Sequence, residues 1–134
     1  MIDLVAANHT NRELELMLEG RKPLAMFYAE LAELPDEELI PEERFAPYVS
    51  KGQFIRGETT VSGSFSEKLG RKTQIRFVFF ALREEAWRVA AMKLLKEQHH
   101  KTNAWNETCE RAECVLLGYT DEETDAWCKK AFAK

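Results

Sequence analysis

The run Thr73–Leu82, reading Thr-Gln-Ile-Arg-Phe-Val-Phe-Phe-Ala-Leu, constrains the fold more than any other stretch. It is dominated by aromatic and β-branched side chains, which fit a pleated and buried surface. Side chains alternate along a strand, so Ile75, Phe77, Phe79 and Ala81 share one face and Val78, Phe80 and Leu82 the other. A strand apolar on both faces needs cover on both. The run is therefore expected to be the central strand of a sheet with helices or loops packed over it.

Upstream, Gln53–Phe65 sets Ile55, Thr59 and Val61 against Phe54, Arg56, Glu58 and Thr60, a strand pattern in which Gly57 is expected to mark a bulge. Ser66–Lys72 reads as a loop with Gly70 at a positive-φ position, which closes a β-hairpin over about 53–82. Leu24–Ala29 fits either a helix running from Pro23 through Leu34 or a short strand beside the central one. A strand over 24–28 followed by irregular chain is the preferred reading.

Helix signals surround this sheet. Thr10 and Glu13 make a capping box that opens a helix at about 11–19, with Gly20 at its stop. Pro35, Pro41 and Pro47 argue against long regular structure in their part of the chain, leaving a turn of helix around 45–50 that buries Phe45, Tyr48 and Val49. Arg83–His100 is amphipathic, with Trp87, Ala90, Ala91, Leu94 and Leu95 as its core stripe and Arg88, Lys93, Lys96 and Glu97 mostly turned away. A helix at about 104–117 turns Trp105, Ala112 and Leu116 inward and stops at Gly118. Thr120 and Glu123 form a second capping box, opening a last helix anchored by Trp127, Ala131 and Phe132.

The expected fold is α+β: a small antiparallel sheet centred on the hairpin at about 53–82 and covered by about four α-helices, in a single domain over residues 1–134. With 134 residues, 45% apolar and 31% charged, the chain is long enough to bury one core and too apolar to be disordered. No apolar run approaches the ~20 residues that a membrane span requires. Asp3 and the lack of a basic start argue against a secretory leader, so Cys109, Cys114 and Cys128 are expected to be reduced thiols in a cytoplasmic protein.

Catalytic and metal chemistry lack a template. His99, His100 and the three cysteines are zinc-ligand types, but no Cys-x-x-Cys or paired-histidine spacing is present. On one helix Cys109 and Cys114 stand about 140° apart around the axis. Cys109 falls on the apolar face and Cys114 is the more exposed by helical phase, beside Glu110 and Glu113, which would raise its pKa. His99 and His100 suit a helix C-terminus. No nucleophile elbow, phosphate-cradling loop or zinc-protease motif occurs. The chain is accordingly expected to be no enzyme and to hold no metal or other cofactor.

Charge placement is the most informative feature. Residues 51–76 hold Lys51, Arg56, Lys68, Arg71, Lys72 and Arg76 against Glu58 and Glu67, while the rest of the chain has 13 basic and 21 acidic residues. Residues 30–43 carry seven acids and no base. A basic hairpin on an acidic body suits a macromolecule-binding protein of immunity, antitoxin-like or inhibitor type, steered to its partner by charge. The expected partner is another protein or a protein–nucleic-acid complex, with the six basic residues as contacts. The alternative is a nucleic-acid-binding module using the same bases on phosphates. Helix, Gly52, strand, basic loop and strand in succession resemble the wing of a winged-helix domain, which implies a hairpin that touches phosphates. No Arg-, Asn- or Gln-rich recognition helix precedes it.

Overall fold

A computed structural model describes residues 12–30, 40–68 and 70–133. Thr10, one half of the first capping box, and residues 31–39 of the acidic stretch lie outside the described residues. The elements in chain order are α1 (Glu13–Leu18), β1 (Leu24–Glu30), α2 (Glu42–Ser50), β2 (Phe54–Ser66) and β3 (Arg71–Leu82). A 3-10 turn (Arg83–Glu85) then leads to α3 (Trp87–Thr102), α4 (Glu107–Leu117) and α5 (Asp121–Ala131). The fold is α+β.

The apolar run of β3 takes the centre of a three-stranded antiparallel sheet ordered β1-β3-β2. Leu24 pairs with Ala81 and Glu30 with Ile75 on one edge, while Phe54 pairs with Leu82 and Val61 with Ile75 on the other. Both faces of β3 are covered. On one face Val78 and Phe80 pack with Ala25, Ala29 and Phe54 under Met17 of α1 and Phe45 of α2. Phe45 stacks on Phe80 with ring centroids 4.3 Å apart, and Phe27 meets Phe45 edge-on at 5.5 Å. On the other face Phe77, Phe79 and Ala81 pack with Leu24 and Val61 under Val89 and Met92 of α3 and Leu116 of α4.

Residues 24–30 form a strand because that register seals β3 on its open edge. The helix around Phe45 starts earlier than its prolines suggest, at Glu42 directly after Pro41, and it carries Pro47 within it. Phe45 is buried, while Tyr48 and Val49 are only partly covered. The irregularity in the hairpin falls between Ser62 and Phe65, not at Gly57. Gly57 has a different task. It lets α3 lie close on the sheet, since a Cβ there would stand 2.3 Å from Cγ1 of Val89.

The core stripe of α3 is also shifted. Its buried positions are Val89, Met92 and Lys96, whereas Trp87 and Leu94, expected in the core, are 56% and 61% exposed. Ala90 is exposed too, while Ala91 and Leu95 are partly buried against the core beside Val89 and Met92. Lys96, expected to face away, is buried with its ammonium 4.8 Å over the Trp105 ring and 5.6 Å over Phe77, ion-paired to Glu113. In α4 the buried residues are Cys114 and Leu116, and Ala112 is exposed. Both halves of the Thr120–Glu123 capping box are formed. In α5, Thr124 and Cys128 are buried, while Ala131 and, just past the helix end, Phe132 stay exposed.

Candidate functional site

The six bases of the hairpin do not form one surface. Arg56, near the start of β2, and Arg76, in the middle of β3, project into a network with two carboxylates. Nε and Nη2 of Arg56 donate to the two oxygens of Glu42 at 2.8 and 2.6 Å, and its Nη1 donates to Glu58 at 3.1 Å. Arg76 donates to Glu58 at 2.9 Å and to Glu42 at 3.2 Å. The guanidinium of Arg56 holds the Glu42 carboxyl below its ordinary range, and Arg76 does the same to Glu58. Glu42 comes from the acidic stretch, so part of the opposite charge read as two outward surfaces is spent between them.

Lys51 lies at the other end of the hairpin, its ammonium 5.8 Å over the ring of Tyr48. Lys68 and Arg71 are exposed at the tip, on either side of Gly70, whose φ of +67° makes the turn. Lys72 faces a polar cleft of about 570 Å³ shared with His99, His100 and Lys101 at the end of α3. Among the described residues, none of Lys68, Arg71, Lys72 and Lys101 makes an ion pair.

The residues displaced from the α3 core stripe build something sequence reading did not anticipate. Trp87, Ala91 and Leu94 of α3 face Ala112 and Val115 of α4 across an open apolar groove of about 710 Å³. Val115 is 50% exposed. Polar contacts frame the groove. The Trp87 indole donates to Glu85 at 3.1 Å and carries the Arg88 guanidinium 4.7 Å above its ring. Arg88 also donates to the carbonyls of Val115 and Leu116 at 2.8 and 3.2 Å, tying the start of α3 to the end of α4. Arg111 on the rim is fixed by Glu107 at 2.9 Å and Asp125 at 2.6 Å.

The thiols are poorly placed for chemistry. Cys114 is 2% exposed, against the phase argument, and burial first, then nearby Cys128 and the Glu110 and Glu113 carboxylates, push its pKa up to about 12. Burial also raises Cys128. Cys109 is half-buried beside the cap, its N–H bound by the Asn106 side chain at 3.0 Å. Glu110 accepts from both Trp105 at 2.5 Å and Trp127 at 2.6 Å, so it serves as a strut between α4 and α5. Among the described residues no group of three or more His, Cys, Asp and Glu is placed to hold a metal ion, and no helix is long and apolar enough to cross a membrane.

The chain matches no protein-family model, no curated protein and no solved structure.

Proposed function

We propose that the protein is a non-catalytic, cytoplasmic binding protein whose partner is another protein, presenting an amphipathic helix to the groove between α3 and α4. One observation carries this reading: an open, almost wholly apolar groove in which Trp87, Leu94 and Val115 are each at least half exposed. Apolar surface left in water at that density costs stability unless a partner covers it. Two helices side by side offer the trough that a third helix fills through residues at i, i+3, i+4 and i+7. A tryptophan clamped by Arg88 and Glu85 is a preorganised anchor that loses little entropy on binding.

Residues 107–125 carry seven carboxylates against Arg111 alone, and although several are paired within the fold, their net negative charge favours a partner helix with a basic flank through long-range steering. This agrees with the inhibitor-type class expected from charge, but moves the contact from the hairpin to the helices.

The runner-up is phosphate binding by Lys68, Arg71 and Lys72, favoured by their exposure and lack of ion pairs among the described residues. Capture from native lysate, with nuclease, separates the two. The proposal expects a nuclease-resistant partner that is lost with Leu94→Glu and Val115→Glu and kept when Lys68, Arg71 and Lys72 are all changed to Glu. The opposite pattern, with nucleic acid recovered and released by salt, supports the runner-up.

A further inference from the structure

The polar cleft lies on the same side of the sheet as α3 but at the far end from Trp87, between the hairpin tip and the C-terminal turn of α3. Its walls come from three elements: Glu30 at the end of β1, Ser62, Phe65 and Lys72 from the hairpin, and His99, His100 and Lys101 from α3. At about 570 Å³ it falls within the ~300–1,000 Å³ range of small-molecule sites.

Basic residues in the last turn of a helix are commonly explained by its dipole. That accounts for His99, His100 and Lys101, and leaves two observations over. Lys72 is brought to the same cleft from the hairpin, so two lysines and His100 share it with one carboxylate, Glu30, and neither lysine is ion-paired among the described residues. His99 has its Nδ1 sealed from solvent without a hydrogen-bond partner among the described residues, its ring lying 4.5 Å from both Trp105 and His100. Burial first, then His100 and Lys96, hold His99 below the ordinary imidazole range.

We propose that this cleft is a binding site for a small phosphate monoester, with Lys72 and Lys101 as its phosphate ligands and His100 beside them. A dianionic phosphate offsets the net positive charge of bases drawn from two elements and accepts several charge-assisted hydrogen bonds. Glu30 on the same wall shapes the rest of the ligand. Its carboxylate repels a bare anion and accepts from N–H or O–H groups, so the phosphate is attached to a donor-bearing body, a sugar or a nucleoside. The exposed ring of Phe65 offers a stacking surface to a nucleobase. The site is separate from the apolar groove and does not depend on it.

The test is an NMR titration of the full chain that follows the imidazole resonances of His99 and His100. The probes are inorganic phosphate, ribose 5-phosphate and adenosine monophosphate. The expected result is a saturable shift with the two organic phosphates, weakened at least about tenfold in the Lys72→Gln, Lys101→Gln double variant. Both lysines are exposed, so the amide spectrum of that variant should otherwise match the native one. Phe65→Ala weakening only the adenosine monophosphate would assign a nucleotide, and equal binding before and after would assign a sugar phosphate. No saturable shift at about 10 mM with any probe, or binding unchanged in the double variant, would overturn the proposal.

Discussion

Gly57 on β2 and Val89 on α3 approach so closely that a Cβ added at Gly57 would stand 2.3 Å from Cγ1 of Val89. This contact sets how low α3 sits on the sheet, and so fixes the height of one wall of the groove. Gly57→Ala is expected to destabilise the protein by about 1–3 kcal/mol through overpacking, read as a lower denaturant midpoint. Val89→Ala in the same background should recover part of the loss, because it removes the atom that clashes. Losses that simply add would place the role of Gly57 in strand conformation instead.

The Arg56–Glu42 pair and its neighbours make stability depend on acid. Glu42 and Glu58 are both held below the ordinary value of 4.5 by hydrogen bonds from Arg56 and Arg76. A carboxylate lowered on folding stabilises the fold fully above its unfolded value, and that contribution is lost as pH falls through the lower folded value. Urea midpoints measured downward from pH 5 should therefore fall for the native protein and fall less for Glu42→Gln. At pH 7 that substitution should cost on the order of 1 kcal/mol, kept small because Glu42 is partly exposed and Glu58 still accepts from both arginines.

Lys22 gives the reverse sign. It is buried, donates to the Leu117 carbonyl at 3.2 Å, and burial lowers its pKa to about 8 from 10.5, against opposing pulls from Glu13 and Glu123. Between those values the unfolded chain binds a proton that the folded one does not, so this residue's contribution to stability improves as pH rises from about 8 towards 10.5. Comparing denaturation of the native protein and Lys22→Met across that window isolates the effect. The difference between them should shift in favour of the native protein as pH increases.

Thiol labelling under native conditions should modify Cys109 and spare Cys114 and Cys128, which are 2% and 1% exposed. Unfolding should release all three. Rapid native labelling of Cys114 would contradict a thiol pushed to about 12 by burial.

The sheet was legible in the sequence because β3 is apolar on both faces, a pattern that admits only a central strand. The hairpin, Gly70 and the Thr120 cap were legible for a similar reason: each is a local signal with a local cause. The groove was not. Periodicity ranks Trp87, Ala90, Ala91, Leu94 and Leu95 as the core stripe, and Ala91 and Leu95 do pack on the core; the packing face of α3 is set by where Gly57 lets it land, which puts Val89 and Met92 down and leaves Trp87, Ala90 and Leu94 out. Burial of Cys114 likewise depends on α5, whose Cys128 and Trp127 close over that side of α4. The basic hairpin was counted along the chain, but Glu42, fourteen residues before Arg56, meets it only in three dimensions. Long-range pairing of charge leaves no mark on local composition.

Photo-crosslinking in the native cell, from a probe placed at Leu94 in the groove and separately at Arg71 on the hairpin tip, tests the central claim most directly. The account predicts a discrete protein adduct from position 94, abolished by Val115→Glu, and no corresponding adduct from position 71. A nucleic-acid adduct from position 71 with nothing captured from 94 would contradict it.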